Sequence, residues 1–259
     1  MASIYDRVLE IAFAEAYRKD KTEVVVLRSR LAEIATELGV SIKNLGDVIY
    51  SKRYRSAMPR GIVKTALAGY EWIIEGAGDG LYRFVLKKAG QLSPATSRSV
   101  IKVPDATPTI ISRYALSDEQ ALLAKLRYNR LVDVFLRLTC YSLQNHLRTK
   151  VKGIGQIEVD ELYLGIDRAG GHHVIPVQAK GGRDKLSIVQ IGQDIKFCKE
   201  RFPLLICRPV GAMFLQDDVI AVFEFVEEAG EILVLDEKHY KLVPADQISD
   251  AELAAYRES

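Results

Sequence analysis

The sequence has few cysteines, and it lacks the patterns of several common protein classes. Its 3 cysteines, Cys140, Cys198 and Cys207, show no Cys-x-x-Cys spacing and have apolar neighbours, which argues against a disulfide framework or a zinc site. No run of about 18 uninterrupted apolar residues occurs, so we expect no membrane partner. Residues 1–7 carry charge where a secretory signal has an apolar stretch, and we expect a cytoplasmic protein. Nucleophile-elbow, P-loop and dinucleotide-binding motifs are also missing.

The overall composition is that of an ordinary globular protein. Of 259 residues, 48% are hydrophobic and 27% are charged, which excludes a disordered or fibrous chain and suits one or two domains. The net charge is only +2, but residues 1–112 contain 17 Lys and Arg against 12 Asp and Glu, whereas the remainder contains 19 against 22. The basic excess therefore belongs to the N-terminal part of the chain.

The N-terminal part has a recognisable order of elements. Apolar residues recur at helical spacing over residues 4–16 and 27–38, and three consecutive valines predict a short strand between these helices. Ser41 is placed to cap a third helix. Two strand-like runs, 70–74 and 81–86, flank a glycine-rich tip and predict a β-hairpin. This order resembles the winged-helix fold, which implies a DNA-binding domain.

The next segment differs in composition. Residues 91–112 are rich in Ser, Thr, Ala and Pro, a composition typical of a linker. We therefore predict a winged-helix-like domain over 1–90, a linker over 91–112, and a second domain over 113–259.

In the second domain the pattern changes from helix to strands. Ser117-Asp118-Glu119-Gln120 has the form of a capping box and opens a long helical segment. The elements predicted after it are strands over 146–151, 154–166 and 172–180, a helix over 184–201, and further strands over 204–215, 219–226 and 231–243. Strand alternation puts Glu158 and Asp160 on one face, and likewise Gln178 and Lys180.

The order helix, three strands, helix, strand, together with Asp160 and Gln178-Ala179-Lys180, resembles the PD-(D/E)XK nuclease superfamily, of the type II restriction-endonuclease-like kind. The resemblance implies an α/β (α+β) fold with an αβββαβ core and a mixed central sheet. It implies that Asp160, Gln178 and Lys180 are catalytic, and that Asp160, Gln178 and the carbonyl of Ala179 bind Mg²⁺, for which Mn²⁺ can substitute. Val159 replaces the proline of the motif, and Gln178 replaces its second acid.

The glutamine matters because hydrolysis of a phosphodiester requires a hard cation with oxygen ligands, usually including one or two carboxylates. A neutral amide oxygen supplies no charge, so a further acid is expected. Glu158 shares the face of Asp160, and Glu119 and Asp133 lie on the preceding helix; the sequence leaves these three alternatives open. Gln190, on the helix after the lysine strand, is a supporting polar residue, as is its neighbour Gln193.

Basic residues with interleaved tyrosine follow the second helix of the N-terminal domain, and others lie on the hairpin and after the lysine strand. In a winged-helix domain the first group corresponds to the helix presented to the major groove and the hairpin to the wing. The group after the lysine strand forms a basic, glycine-bearing exit from that strand, suited to close approach of a phosphate backbone. The predicted DNA-binding residues are Lys43, Lys52, Arg53, Tyr54, Arg55, Arg60, Lys64, Arg83 and Arg183.

The sequence thus predicts a Mg²⁺-dependent endonuclease that hydrolyses phosphodiester bonds in double-stranded DNA, with a sequence-specific restriction or defence role. A homodimer is expected, because two antiparallel strands call for two symmetric sites. The alternatives are a catalytically silent nuclease-fold protein that binds DNA, a winged-helix regulator with a sensing C-terminal domain, and a nuclease of DNA repair or junctions.

Overall fold

The computed structural model describes residues 3–40, 49, 52, 58–77, 80–88, 92, 94–95, 97–114, 119–181 and 186–257. The chain forms two compact units. The first comprises Met1–Gly90 with Lys150–Ile157, and the second comprises Gln91–Thr149 with Glu158–Ser259. Among the described residues, none of the helices has the length and hydropathy needed to span a bilayer.

The first unit combines short helices with a three-stranded antiparallel sheet of order β1-β3-β2. Its elements are α1 (Ile4–Ala16), β1 (Glu23–Leu27), α2 (Arg28–Glu37), α3 (Arg60–Val63), β2 (Tyr70–Gly76) and β3 (Leu81–Lys88). A capping box between Ser3 and Asp6 starts α1. Phe13 of α1 packs edge-on against Trp72 and Phe84 of the sheet. Most of the helix predicted to begin at Ser41 lies outside the described residues.

The second unit is built on an eight-stranded sheet of order β4-β11-β10-β9-β7-β6-β5, with β8 also paired to β7. Its elements are β4 (Val100–Pro104), α4 (Thr109–Tyr114), α5 (Glu119–Tyr128), α6 (Leu131–Leu136), β5 (Thr139–Val151), β6 (Gly155–Ile166), β7 (His172–Lys180), α7 (Ile188–Arg201), β8 (Ile206–Cys207), β9 (Val210–Phe214), β10 (Val219–Glu228), β11 (Glu231–Val243) and α8 (Asp250–Tyr256). The last two residues of β5 and the first three of β6 are counted with the first unit. Parallel pairs, β7 with β9 and β11 with β4, coexist with antiparallel ones. The prediction of a mixed α and β protein with a mixed central sheet is confirmed.

Helices cover both faces of this sheet. Leu122 and Leu126 of α5 share one apolar cluster with Val177 of β7, and Ile191 of α7 packs in another cluster with Met213 of β9. Because both faces are covered, β7 is buried at every residue after its first. Polar side chains on this strand are therefore withdrawn from water.

The long helix predicted after the capping box is broken into α5 and α6. Arg130 has a left-handed backbone with φ of 49°, which a continuous helix cannot contain. The side-chain amide of Asn129 donates to the carbonyl of Lys125 and to the hydroxyl of Thr107, and its oxygen accepts the amide N–H of Ala106. These bonds compete with the helical ladder and end α5.

The linker interpretation is wrong for residues 100–104, which form β4. This strand pairs in parallel with β11, from Val100 opposite His239 to Pro104 opposite Val243. Its apolar residues Ile101 and Val103 pack against the main core of the second unit. Partial burial of these two side chains stabilises a strand in a segment whose prolines indicated a linker.

Candidate active site

Two of the predicted catalytic residues meet where β6 and β7 diverge. The two strands pair from Ile166 opposite His172 to Glu161 opposite Val177, and Asp160 is the next residue of β6. Its Oδ2 accepts the backbone N–H of Ala179 at 2.8 Å. Lys180 Nζ lies 3.9 Å from the same oxygen. Asp160 is 7% exposed and Lys180 8%, so a carboxylate and an ammonium share a largely dry site.

Of the three further acids considered, Glu119 joins this pair directly. Glu119 is the first residue of α5, and its Oε1 accepts a hydrogen bond from Lys180 Nζ at 3.1 Å. Asp133 is held elsewhere, because its Oδ1 bonds Arg130 and accepts the backbone N–H of Cys140 at 2.8 Å. The structure therefore groups Glu119 with Asp160 and Lys180, and it gives Asp133 a local role at the start of β5.

Glu158 shares the strand of Asp160, but its side chain meets basic groups of β5. Its carboxylate lies 3.3 Å from Arg148 and 3.5 Å from the Nδ1 of His146. His146 has a left-handed backbone with φ of 47°, and its Nε2 lies 2.7 Å from the side-chain nitrogen of Gln120. Nothing in the sequence indicated that His146 lies beside Glu158.

Gln178 is almost completely buried, with 1% of its surface exposed. Its side-chain nitrogen donates to the backbone carbonyl of Glu158 at 3.1 Å and to Oδ2 of Asp194 at 2.8 Å. Its carbonyl oxygen Oε1 is buried and has no hydrogen-bond partner among the described residues. A buried acceptor without a donor is costly unless something else occupies it.

Asp194 of α7 is the site residue that sequence reasoning missed. The only indication of it in the sequence is its position on the apolar, inward-facing stripe of α7, between Ile191 and Cys198, which are buried. Gln190 and Gln193 lie on the same helix and are buried, as expected for polar residues facing the sheet. Oε1 of Gln190 is also buried without a partner among the described residues.

Burial dominates the electrostatics of the two aspartates. It raises the pKa of Asp160 to about 6, against the opposing effects of Lys180 and of the Ala179 N–H, while Glu119 and Glu158 raise the pKa further. Burial also raises the pKa of Asp194 well above its usual value, although the hydrogen bond from Gln178 lowers it. Both charged forms are therefore under-compensated, a condition that a bound cation would relieve.

The residues present fit a hard divalent cation. Such ions take oxygen ligands. The carboxylate of Asp160 and the unpartnered Oε1 of Gln178 lie on neighbouring strands. The backbone carbonyl of Ala179, the residue between Gln178 and Lys180, is a third oxygen. Within the described ranges no three His, Cys, Asp or Glu side chains cluster as a metal site. The fit depends on the amide oxygen of Gln178.

Glu161, next to Asp160 in the chain, faces the opposite side of the sheet, as the alternation predicts. Its carboxylate is fully buried and forms two hydrogen bonds of 2.9 Å with Arg127 of α5. Ser142 of β5 donates a third bond to it at 2.6 Å. This network fastens α5, β5 and β6 together behind the site.

The predicted DNA-binding residues are only partly within the described chain. Arg60 and Lys64 are exposed at α3. Lys52 is instead turned inward, with its ammonium 2.5 Å from Asp6 and its side chain only 11% exposed. Arg83 on the hairpin pairs with Glu75 at 2.9 Å. The remaining predicted DNA-binding residues, Lys43, Arg53, Tyr54, Arg55 and Arg183, lie outside the described residues.

A cavity of about 1010 Å³ lies elsewhere in the second unit. Arg98, Lys125 and His239 are among its lining residues, and Lys125 stacks over the ring of Phe214 at 5.5 Å. Asp160, Gln178 and Lys180 do not line this cavity. Its size alone assigns no chemistry to it.

Comparisons with protein-family models, with curated proteins and with solved structures found no match.

Proposed function

We propose that the protein is a Mg²⁺-dependent DNA endonuclease whose active site is formed by Asp160, Gln178 and Lys180. The observation that carries this proposal is a buried carboxylate beside a buried lysine on adjacent strands, with an unpartnered amide oxygen on Gln178, two residues before the lysine in the chain. Structural ion pairs do not require such an oxygen, and buried groups with perturbed pKa values are typical of functional sites.

The topology supports the same assignment. With the short elements α6 and β8 left aside, the order α5, β5, β6, β7, α7, β9 agrees with the αβββαβ order of a restriction-endonuclease-like core, and β9 lies parallel to β7 after the crossover through α7. In the first unit, two helices around β1 followed by the β2–β3 hairpin suit a winged-helix domain.

The side chains have distinct proposed roles. Asp160, Oε1 of Gln178 and the carbonyl of Ala179 would hold Mg²⁺, or Mn²⁺ in its place. When bound, the cation offsets charge that develops on the phosphate and acidifies a coordinated water. Lys180 donates to a phosphate oxygen or to the attacking water, and it is held for this by Glu119 at 3.1 Å.

DNA binding is proposed for the first unit, with Arg60 and Lys64 contacting phosphates from α3. A homodimer that places one site on each strand of double-stranded DNA suits this function. We propose a cytoplasmic restriction or defence role, with a repair or junction nuclease as the nearest alternative.

One observation favours a second candidate, a catalytically silent protein that binds DNA. Gln178 brings no charge to the site, and Lys180 is already paired with Glu119. A site of this kind would bind nucleic acid without cleaving it. A winged-helix regulator with a sensing domain is less well supported, because a sensor pocket has no need of a lysine beside Asp160.

The test is an incubation of the purified protein with supercoiled and linear double-stranded DNA, single-stranded DNA and RNA, in Mg²⁺, Mn²⁺ or EDTA. Asp160→Ala and Lys180→Ala variants are assayed beside it after their folding has been checked by circular dichroism. The expected result is cation-dependent cleavage of double-stranded DNA that both variants lose. Binding without cleavage in every cation would favour the silent protein.

A further inference from the structure

The buried amide of Gln178 has a defined polarity in this structure. A primary amide carries two N–H donors on its nitrogen and one acceptor on its oxygen. The nitrogen of Gln178 meets two acceptors, the backbone carbonyl of Glu158 and Oδ2 of Asp194. Rotating the amide by half a turn would bring Oε1, an acceptor, against the same two acceptor groups, the Glu158 carbonyl and the Asp194 carboxyl, and both of these hydrogen bonds would be lost.

We infer that Asp194 is a positioning residue that, by accepting a hydrogen bond from the Gln178 nitrogen, keeps the Gln178 oxygen available to a cation. This inference rests on the proposed function, and it explains how a glutamine can serve as a cation ligand at a position usually held by an acid. Without such a device a glutamine can present its NH₂ group, which repels a cation, as readily as its oxygen. Asp194 lies on α7, fully buried, and Gln178 lies on β7, so the contact joins helix to strand.

What Asp194 supplies is an acceptor atom, not a charge. An asparagine at this position retains a carbonyl oxygen of the same reach, so it can accept the same hydrogen bond from Gln178. An alanine has no acceptor. The two variants Asp194→Asn and Asp194→Ala therefore distinguish two roles. If Asp194 positions Gln178, only the alanine variant loses cation affinity; if Asp194 is a charged cation ligand, both variants lose it.

The experiment titrates Mg²⁺ alone, and Mn²⁺ alone, into the full chain by calorimetry. The expected result is an affinity close to that of the wild type for Asp194→Asn, and an affinity lower by about 10- to 100-fold for Asp194→Ala, the usual effect of losing a residue that orients a metal ligand. Asp246→Ala, an exposed matched change, should bind as the wild type does.

A second measurement needs no cation. Side-chain ¹⁵N–¹H₂ signals of Gln178 in the cation-free protein should exchange slowly with water in the wild type and in Asp194→Asn, and rapidly in Asp194→Ala. Rapid exchange in the wild type itself overturns the inference, even if Asp194→Ala fails to fold. Equal cation affinity in Asp194→Ala and the wild type also overturns it, as does an equal loss in Asp194→Asn and Asp194→Ala. If the wild type binds no cation, the proposed function fails, and the amide signals still decide whether Asp194 positions Gln178.

Discussion

Replacing Asp160 with asparagine should make the protein more stable at neutral pH while abolishing cleavage. Burial raises the pKa of Asp160 from 3.8 to about 6, and one pKa unit corresponds to about 1.4 kcal/mol. Ionising this carboxyl in the folded state therefore costs on the order of 3 kcal/mol. An active site that retains such a charge sacrifices stability for function.

The sign of the pH dependence follows from the two pKa values. Because the folded-state pKa lies above the unfolded one, the contribution of Asp160 to stability is fully present below 3.8 and is lost as pH rises to about 6. Asparagine lacks this dependence but can still accept the Ala179 N–H, and Lys180 keeps its bond to Glu119. Asp160→Asn should therefore match the wild type near pH 4 and exceed its stability by up to about 3 kcal/mol near pH 8.

The assay is urea unfolding at several pH values, followed by circular dichroism and by hydrogen exchange of peptides that cover β6 and β7. Trp72, the one tryptophan of the chain, is buried in the first unit, so its fluorescence gives an internal reference that the change should not move. If Asp160→Asn is less stable than the wild type near pH 8, the charge of Asp160 stabilises the fold through Lys180. The claim that this charge is kept for function at a cost in stability is then wrong.

Three further predictions concern other parts of the structure. Lys180→Met should lower the single-turnover cleavage rate by about 100-fold or more, as the loss of a preorganised donor does, with DNA affinity in a filter assay little changed; an equal fall in affinity would make the lysine a binding residue. Arg127→Ala should cost about 3–5 kcal/mol in urea unfolding, because Glu161 is left as a buried unpaired charge, and Glu161→Gln should cost less; equal costs would contradict this. Alanine at Arg60 and at Lys64 should each reduce the slope of log affinity against log salt by about 1, and an unchanged slope would place the DNA elsewhere.

The sequence predicts those parts of the site that depend on local periodicity. Alternation along β6 and β7 is enough to put Asp160 on the opposite face from Glu161. It also brings Gln178 and Lys180 together, since strand geometry repeats every two residues. Glu119, at the start of the helix that the sequence predicts there, is likewise found from a local pattern, and its carboxylate accepts a hydrogen bond from Lys180.

Other features depend on contacts that no local pattern encodes. Asp194 meets Gln178 across a helix and a strand, and its side chain is one polar position in an otherwise ordinary amphipathic helix. β4 becomes a strand through pairing with β11, more than 130 residues away in the chain. The break at Arg130 depends on bonds from Asn129 to Thr107 and Ala106. Long-range packing decides each of these.

The most direct test asks whether a divalent cation binds between β6 and β7. Fe²⁺ can replace Mg²⁺ at oxygen-ligand sites, and with ascorbate and peroxide it cuts the polypeptide backbone beside the residues that hold it; mass spectrometry then maps the cuts. The expected result is cleavage near Asp160 and near Gln178 in the wild type, suppressed by excess Mg²⁺ and lost in Asp160→Asn. Cuts confined to other parts of the chain, or cuts unchanged in Asp160→Asn, would contradict a cation site at these strands.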